Sequence, residues 1–191
     1  GEWQEARKYL ELALEQAPED DLERQFDARF HLADLYFYYA DQPERAQRAY
    51  EELRRDFPAT DPVRRRVALI RLGDIQRNQR RLEEARRYYL QAESDSAYGP
   101  KGPISIVEGR YVHDIEAFLR EGNGERALES VEQWLWECPT KRLEGFPLEM
   151  RLEADLLLGD FHEVKKQGAI YLNFAEDPNY IPKVHLLVGE A

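Results

Sequence analysis

The chain has a single cysteine and a single methionine among its 191 residues. No apolar run approaches the roughly 20 residues that a membrane helix needs, so membrane insertion is not expected. With Cys138 alone no disulfide can close within the chain, and a thiolate metal site, which takes several cysteines, is excluded. The four histidines, His31, His113, His162 and His185, show no metal-ligand spacing. Nucleophile motifs are missing, and the carboxylates are too numerous for one pair to stand out as an acid and base. Neither enzymatic activity nor a cofactor nor a metal is therefore expected of this segment. A charged-then-apolar targeting segment is also missing from the first residues.

Lysine is scarce beside arginine, and positive charge as a whole is in the minority. The 27 basic and 38 acidic side chains leave a net charge of −11. Such a chain is a poor general binder of nucleic acid or anionic membrane. The charge is uneven: residues 1–60 carry −7, residues 61–90 carry +5, and residues 91–191 carry −9. The middle is a basic island of Arg64, Arg65, Arg66, Arg71, Arg77, Arg80, Arg81, Arg86 and Arg87. Two roles suit it: a solvated face that pairs with the acidic flanks, or a set of guanidinium forks for an acidic or phosphate-bearing partner. Aromatic residues make up 12% of the chain, which gives it the means to bury a core and argues against disorder.

What the sequence has in abundance is repetition. Ala, then Tyr or Leu four later, then Ala or Leu three later, then Pro five later, appears as Ala6, Leu10, Ala13 and Pro18. The pattern returns as Ala46, Tyr50, Leu53 and Pro58, and as Ala85, Tyr89 and Ala92. Worn copies follow as Ala127, Val131, Trp134 and Pro139, then Val164, Gly168, Tyr171 and Pro178. A second kind of segment precedes these, marked by Leu32-Ala33 with Tyr36 and by Leu72-Gly73 with Gln76. Short breaks separate the two kinds at Ala40-Asp41-Gln42, Asn78-Gln79-Arg80, Glu121–Gly124 and Gly159-Asp160. Spacings of four and three put these residues on one helical face, and the small ones let paired helices approach closely.

The alternating segments resemble tetratricopeptide repeats, with Leu-Gly…Tyr in a first helix and Ala…Phe…Ala…Pro in a second. Residues 66–92 match best, through Leu72, Gly73, Leu82, Ala85, Tyr89 and Ala92. The fold this implies is all-α, a TPR-like α-solenoid coiled as a right-handed superhelix of antiparallel helix pairs. It reads as a single solenoid over 1–191. A second helix of a truncated repeat spans 1–18, helix-pair repeats span 22–58, 61–97, 104–139 and 144–178, and 180–191 starts a further repeat. The register implies more repeats at both ends. End-to-end self-association of the fragment is then expected, through Trp3, Tyr9 and Leu10 at one end and Val184, Leu187 and Val188 at the other. The second-helix small residues recur every 37 to 42 residues (Ala6, Ala46, Ala85, Ala127, Val164), not the usual roughly 34. HEAT and armadillo repeats have longer periods but lack these signatures. Stretched repeats of this kind are similar to those of bacterial envelope proteins, namely outer-membrane assembly lipoproteins and TolA-binding division coordinators. That likeness favours the periplasm over the cytoplasm.

The resemblance implies a scaffold that holds a peptide or partner protein in a concave groove lined by the first helices. Aligning those helices gives three stripes: His31, Arg71, His113 and Arg151; Asp34, Asp74, Glu116 and Ala154; and Phe30, Ile70, Val112 and Met150. Candidate contacts are Phe30, His31, Asp34, Phe37, Tyr38, Arg71, Asp74, Arg77, His113 and Glu116, and an acidic ligand is one expectation. The bland alternative is that His31–Asp34, Arg71–Asp74 and His113–Glu116 are ordinary surface pairs, each contributing about 0.2–0.5 kcal/mol. The chaperone-tail-binding relatives use a clamp of Lys and Asn where this chain has Phe30, Asp34, Arg71, Gly109 and His113, so that ligand is not expected. Tyr36 and Trp134 fall on signature places and are expected in the core, while Trp136, Phe37 and Tyr38 are less readily buried. Gly122-Asn-Gly124-Glu-Arg-Ala127 matches a dinucleotide-binding fingerprint but follows a helical pattern, so it reads as an inter-helix turn. Two other functions remain open: a helical repeat that binds single-stranded RNA, or a spacer or regulatory arm of a larger enzyme.

Overall fold

In a computed structural model, the structure describes residues 2–18, 20–56, 62–94, 99–100, 102–175 and 178–191. Among these the chain is ten α-helices and one short 3-10 turn, with no strand, which is the all-α class expected. The helices are α1 (Glu2–Glu15), α2 (Leu22–Tyr38), α3 (Pro43–Asp56), α4 (Pro62–Asn78), α5 (Leu82–Glu93), α6 (Ile104–Arg120), α7 (Gly124–Glu137), α8 (Gly145–Leu158), α9 (Phe161–Phe174) and α10 (Ile181–Glu190). The 3-10 turn spans Pro139–Leu143, between α7 and α8. The signature residue Pro58 lies outside the described residues, as do 57–61 and 95–98 in the two long connections.

Helix starts and stops follow from local chemistry. Asp21, Asn123 and Asp160 each accept a hydrogen bond from the backbone N–H three residues on, capping α2, α7 and α9. At all four expected breaks one residue takes a left-handed conformation: Asp41 (φ 49°), Arg80 (φ 61°), Gly122 (φ 72°) and Gly159 (φ 73°). Such a residue stops the helix and reverses the chain. Asn123 donates its backbone N–H to the Phe118 carbonyl at 2.8 Å, so the dinucleotide-like glycines form a helix–helix turn.

The repeat signature is the core. Ala46, Tyr50 and Leu53, then Ala85, Tyr89 and Ala92, then Ala127, Val131 and Trp134, then Val164, Gly168 and Tyr171 are all buried. The copy on α1 differs, with Ala6 exposed and Leu10 and Ala13 half-buried. Small residues act as expected: a Cβ built on Gly124 would sit 2.9 Å from the Ala154 carbonyl, so α7 touches α8 backbone to backbone. Trp134 is in the core; Tyr36 is only half-buried, under the Arg45 guanidinium at 5.8 Å.

The chain divides into two compact units, Gly1–Ile75 and Gln76–Ala191, with the boundary inside α4. In the first, α1 packs on α2 and α2 on α3. In the second, Val107, Tyr111, Ile115, Val131, Trp134 and Met150 join α6, α7 and α8 in one core cluster. A second cluster joins α8, α9 and α10 through Leu152, Val164, Tyr171, Val184 and Leu187. The 3-10 turn is tied to the end of α5, where Thr140 donates its backbone N–H to Glu93 Oε1 at 2.9 Å.

Two expectations need correction. Val184 and Leu187 are not an exposed end face: the helical period of α10 turns them into the core, and Leu186 faces solvent instead. At the other end Tyr9 is 73% exposed, with Trp3 and Leu10 half-buried. The supposed apolar groove stripe is largely core, because Ile70 and Met150 are buried and Val112 half-buried. One residue of register separates a groove position from a packing position on a helix, and these fall on the packing side.

Candidate functional site

The first unit gathers four of the candidate residues into one cluster. Along α2, the buried face carries Phe26, Ala28, Leu32, Ala33 and Leu35, while Phe30, Asp34, Phe37 and Tyr38 recur at spacings of three, four and eight on the adjoining face. On α4, Arg71 and Asp74 lie one turn apart. Arg71 bridges the two helices: its Nε lies 3.4 Å from Asp34 Oδ1, and its Nη1 lies 3.7 Å from Asp74 Oδ2. The same guanidinium sits over the Tyr38 ring, 5.2 Å from the centroid. From α3, the Tyr50 hydroxyl donates a hydrogen bond to Asp34.

The surroundings make this a firm network. Asp74 is buried and Asp34 half-buried. Burial opposes the Arg71 charge, but Tyr38, Asp74, Asp34 and Tyr50 together outweigh it, and the guanidinium pKa rises above its ordinary value. The Tyr50 phenol is also raised, by burial first and then by the charge of Asp34 and the hydrogen bond to it. Tyr50 is thus a neutral donor. Two carboxylates share one guanidinium, so the cluster is not a surplus of positive charge. Phe30 packs against Phe26 at 5.8 Å and edge-on to Tyr50 at 5.7 Å, forming an aromatic wall beside the polar centre.

The remaining candidates are placed differently. His31 is exposed on α2, 6.1 Å from the Phe30 ring. Phe37 is half-buried, edge-on to Tyr38 at 4.7 Å, and Tyr38 is 38% exposed. In the second unit, Arg77 donates to the Arg142 carbonyl at 3.3 Å and lies over the Phe174 ring at 5.6 Å. His113 and Glu116 are exposed on α6. Of the basic island, Arg64 pairs with Glu23 (3.3 Å) and Asp27 (2.9 Å), and Arg66 is buried. Arg80 donates to Asn173 Oδ1 at 3.1 Å. The Arg64 and Arg71 contacts match the bland reading, charge pairing with the acidic flank.

Sequence reasoning missed Tyr50 as a member of this cluster, and left Arg151 out of the candidate contacts. Tyr50 is a member of the repeat pattern, and its hydroxyl could not be traced to Asp34 without the fold. In the second unit Arg151, which the sequence aligns with Arg71, is likewise the centre of a carboxylate cluster. It contacts Glu132 at 2.5 Å, Glu163 at 3.5 Å and Asp155 at 3.6 Å. Burial, more than the neighbouring acids Glu163, Asp160 and Glu132, pushes the Asp155 carboxyl up to about 6, while Arg151 pulls the other way. Cys138 is fully buried in the α6–α8 core, and burial, with Glu93 and Glu137 nearby, pushes its thiol up to about 11. At that value it is a poor nucleophile. Among the described residues, no three His, Cys, Asp or Glu side chains are placed to hold a metal ion, and no helix is long and apolar enough to cross a membrane.

Residues 27–60, which contain most of α2, all of α3 and the Asp34–Tyr50 contact, match the family model of the tetratricopeptide repeat. No curated protein and no solved structure matches the chain.

Proposed function

We propose that the chain, in which residues 27–60 match the tetratricopeptide repeat, is a non-catalytic scaffold for protein–protein interaction, with its partner docking on the α2–α4 surface of the first unit. The observation that carries this reading is the placing of Arg71 over Tyr38 and between Asp34 and Asp74, with Tyr38 and His31 exposed on α2 and Phe37 half-buried against Tyr38. Tyr and Arg are enriched in binding hot spots, Tyr for large contact area at small entropic cost and Arg for its directed hydrogen bonds. The network holds both in place before a partner arrives, which lowers the cost of binding. An extended peptide fits this arrangement, with an apolar side chain on Phe37 and Tyr38 and polar groups on the Arg71 centre. In its acidic form, the partner's carboxylate takes the remaining N–H groups of Arg71 alongside the exposed His31. The RNA-binding reading is disfavoured, because Arg64 and Arg71 of the basic island already pair with carboxylates of α2.

Selection of peptides from a random display library, followed by affinity measurements on variants, tests this. Tyr38→Ala and Phe37→Ala should each weaken a selected peptide by about fivefold or more, the size of a hot-spot truncation. His31→Gln should weaken acidic peptides more than neutral ones. Peptides that bind the Phe37→Ala, Tyr38→Ala double variant as well as the wild type would move the docking surface off α2.

A further inference from the structure

The second unit contains a half-open cavity of about 420 Å³ that none of the candidate residues touches. It is lined by Leu82, Leu143, Phe146, Tyr171, Phe174 and Tyr180, with Gly145, Ala175 and Glu144 completing the wall. Protein interiors rarely leave voids larger than a water molecule, whereas ligand pockets run from roughly 300 to 1,000 Å³ and are mostly apolar with few polar groups. By volume the cavity falls in the ligand-pocket range, and its lining residues are chiefly aromatic and aliphatic.

Its walls are preformed. Phe146 lies 6.3 Å from Tyr180, and Tyr171 lies edge-on to Phe174 at 5.3 Å. Gly145 makes this closeness possible: a Cβ there would stand 2.4 Å from Tyr171 Oη and 2.5 Å from Tyr180 Cγ. Any side chain at 145 would push both tyrosines out of the wall. Among the described residues of the lining one is charged, and it is paired. Glu144 at the rim is 2.9 Å from Lys141, whose ammonium also contacts Glu108 at 3.0 Å. Behind the wall, Arg77 lies over the Phe174 ring. The charged side chain of the described lining, Glu144, is thus already paired with a cation, and what remains of the wall is uncharged. Aromatic walls favour an aromatic guest, which gains offset or edge-to-face contacts beyond its buried area.

We propose that this cavity is a binding site for a neutral aromatic ring, carried either by a free small molecule or by a side chain of a bound polypeptide. The site is separate from the α2–α4 surface and does not depend on it.

The test uses the whole chain with carbon-13-labelled methyl groups and two probes: indole, and a blocked uncharged pentapeptide with one central tryptophan. Binding should shift the methyl resonances of Leu82, Leu143 and Ala175 and leave those of Leu53 and Ala46 in place. Affinity should be in the roughly millimolar range or tighter, as suits a ligand of this size. Ala175→Phe fills the cavity and should weaken binding at least tenfold, whereas Ala175→Ser should change it less than twofold. Should Ala175→Phe fail to fold, Tyr180→Leu takes its place, with about a fivefold loss expected from the missing ring contacts. Response to indole alone assigns the site to free ring compounds; tighter binding of the peptide assigns it to a side chain. No localised shift with either probe, or unchanged binding by the variants, overturns the proposal.

Discussion

Asp155→Asn should make the protein more stable at neutral pH, although it removes one partner of Arg151. The Asp155 side chain is buried, and its carboxyl is raised from 3.8 to about 6 by burial first and by the surrounding carboxylates second. Between those two values the folded state binds more protons at this site than the unfolded state does. Stability from this group is therefore full below about pH 4, falls as the pH rises towards 6, and stays low above. At about 1.4 kcal/mol per unit, a rise of about two units makes the ionised carboxylate cost up to about 3 kcal/mol at pH 7. Asparagine has the same shape without the charge, and Arg151 keeps Glu132 and Glu163, so it is not left unpaired. Urea unfolding followed by circular dichroism at pH 4, 5, 6 and 7 measures this, and the difference between the two proteins isolates the group from all other acids. The expected result is a variant more stable than wild type at pH 7 by as much as about 3 kcal/mol, the gap closing towards pH 4. A variant less stable than wild type at pH 7, or a gap that does not change with pH, would refute the reasoning.

Tyr50→Phe removes the hydroxyl that donates to Asp34 from a fully buried ring, and should cost about 1.5–3 kcal/mol in urea unfolding, as for a hydrogen bond to a charged group. Gly168→Ala would drive a Cβ to 2.2 Å from Val188 Cγ2, so α10 must shift; a loss of about 1–3 kcal/mol is expected, with faster amide exchange in α10 than in α7. Asp41→Gly relieves a left-handed residue at φ 49° and should raise stability by about 0.5–1 kcal/mol, whereas Asp41→Val should lower it; equal stabilities would deny strain at that turn. Trp134→Ala empties the centre of the α6–α8 cluster and should cost about 3–5 kcal/mol by the same assay.

Much of the architecture was written locally. The Ala46–Tyr50–Leu53 spacing and its later copies specify a buried helical face whatever lies opposite, because three- and four-residue steps share one side of a helix. The breaks at Asp41, Arg80, Gly122 and Gly159 were readable for a similar reason: turn chemistry depends on a few adjacent residues. Where a position is decided by rotation about the helix axis, the reading failed. Ile70 and Met150 were placed on a surface stripe, and Val184 and Leu187 on an end face, yet all four are buried. Sequence spacing says which residues share a side but not which side meets a neighbour.

The candidate site divides along the same line. By itself the sequence determined that the protein is an all-α helical repeat, that Arg71 and Asp74 share a face of one helix, and that Phe30, Asp34 and Phe37 share a face of another. Only the tertiary structure decided that Arg71 reaches across to Asp34, that Tyr50 donates to the same carboxylate from a third helix, and that Arg77 turns to the Arg142 carbonyl instead. It alone formed the aromatic cavity around Gly145, whose walls come from residues as far apart as Leu82 and Tyr180. Periodicity is a property of one helix, carried by neighbours three and four apart. A salt bridge or a cavity is a property of two or more helices, and is set by the angles and distances at which their faces pack.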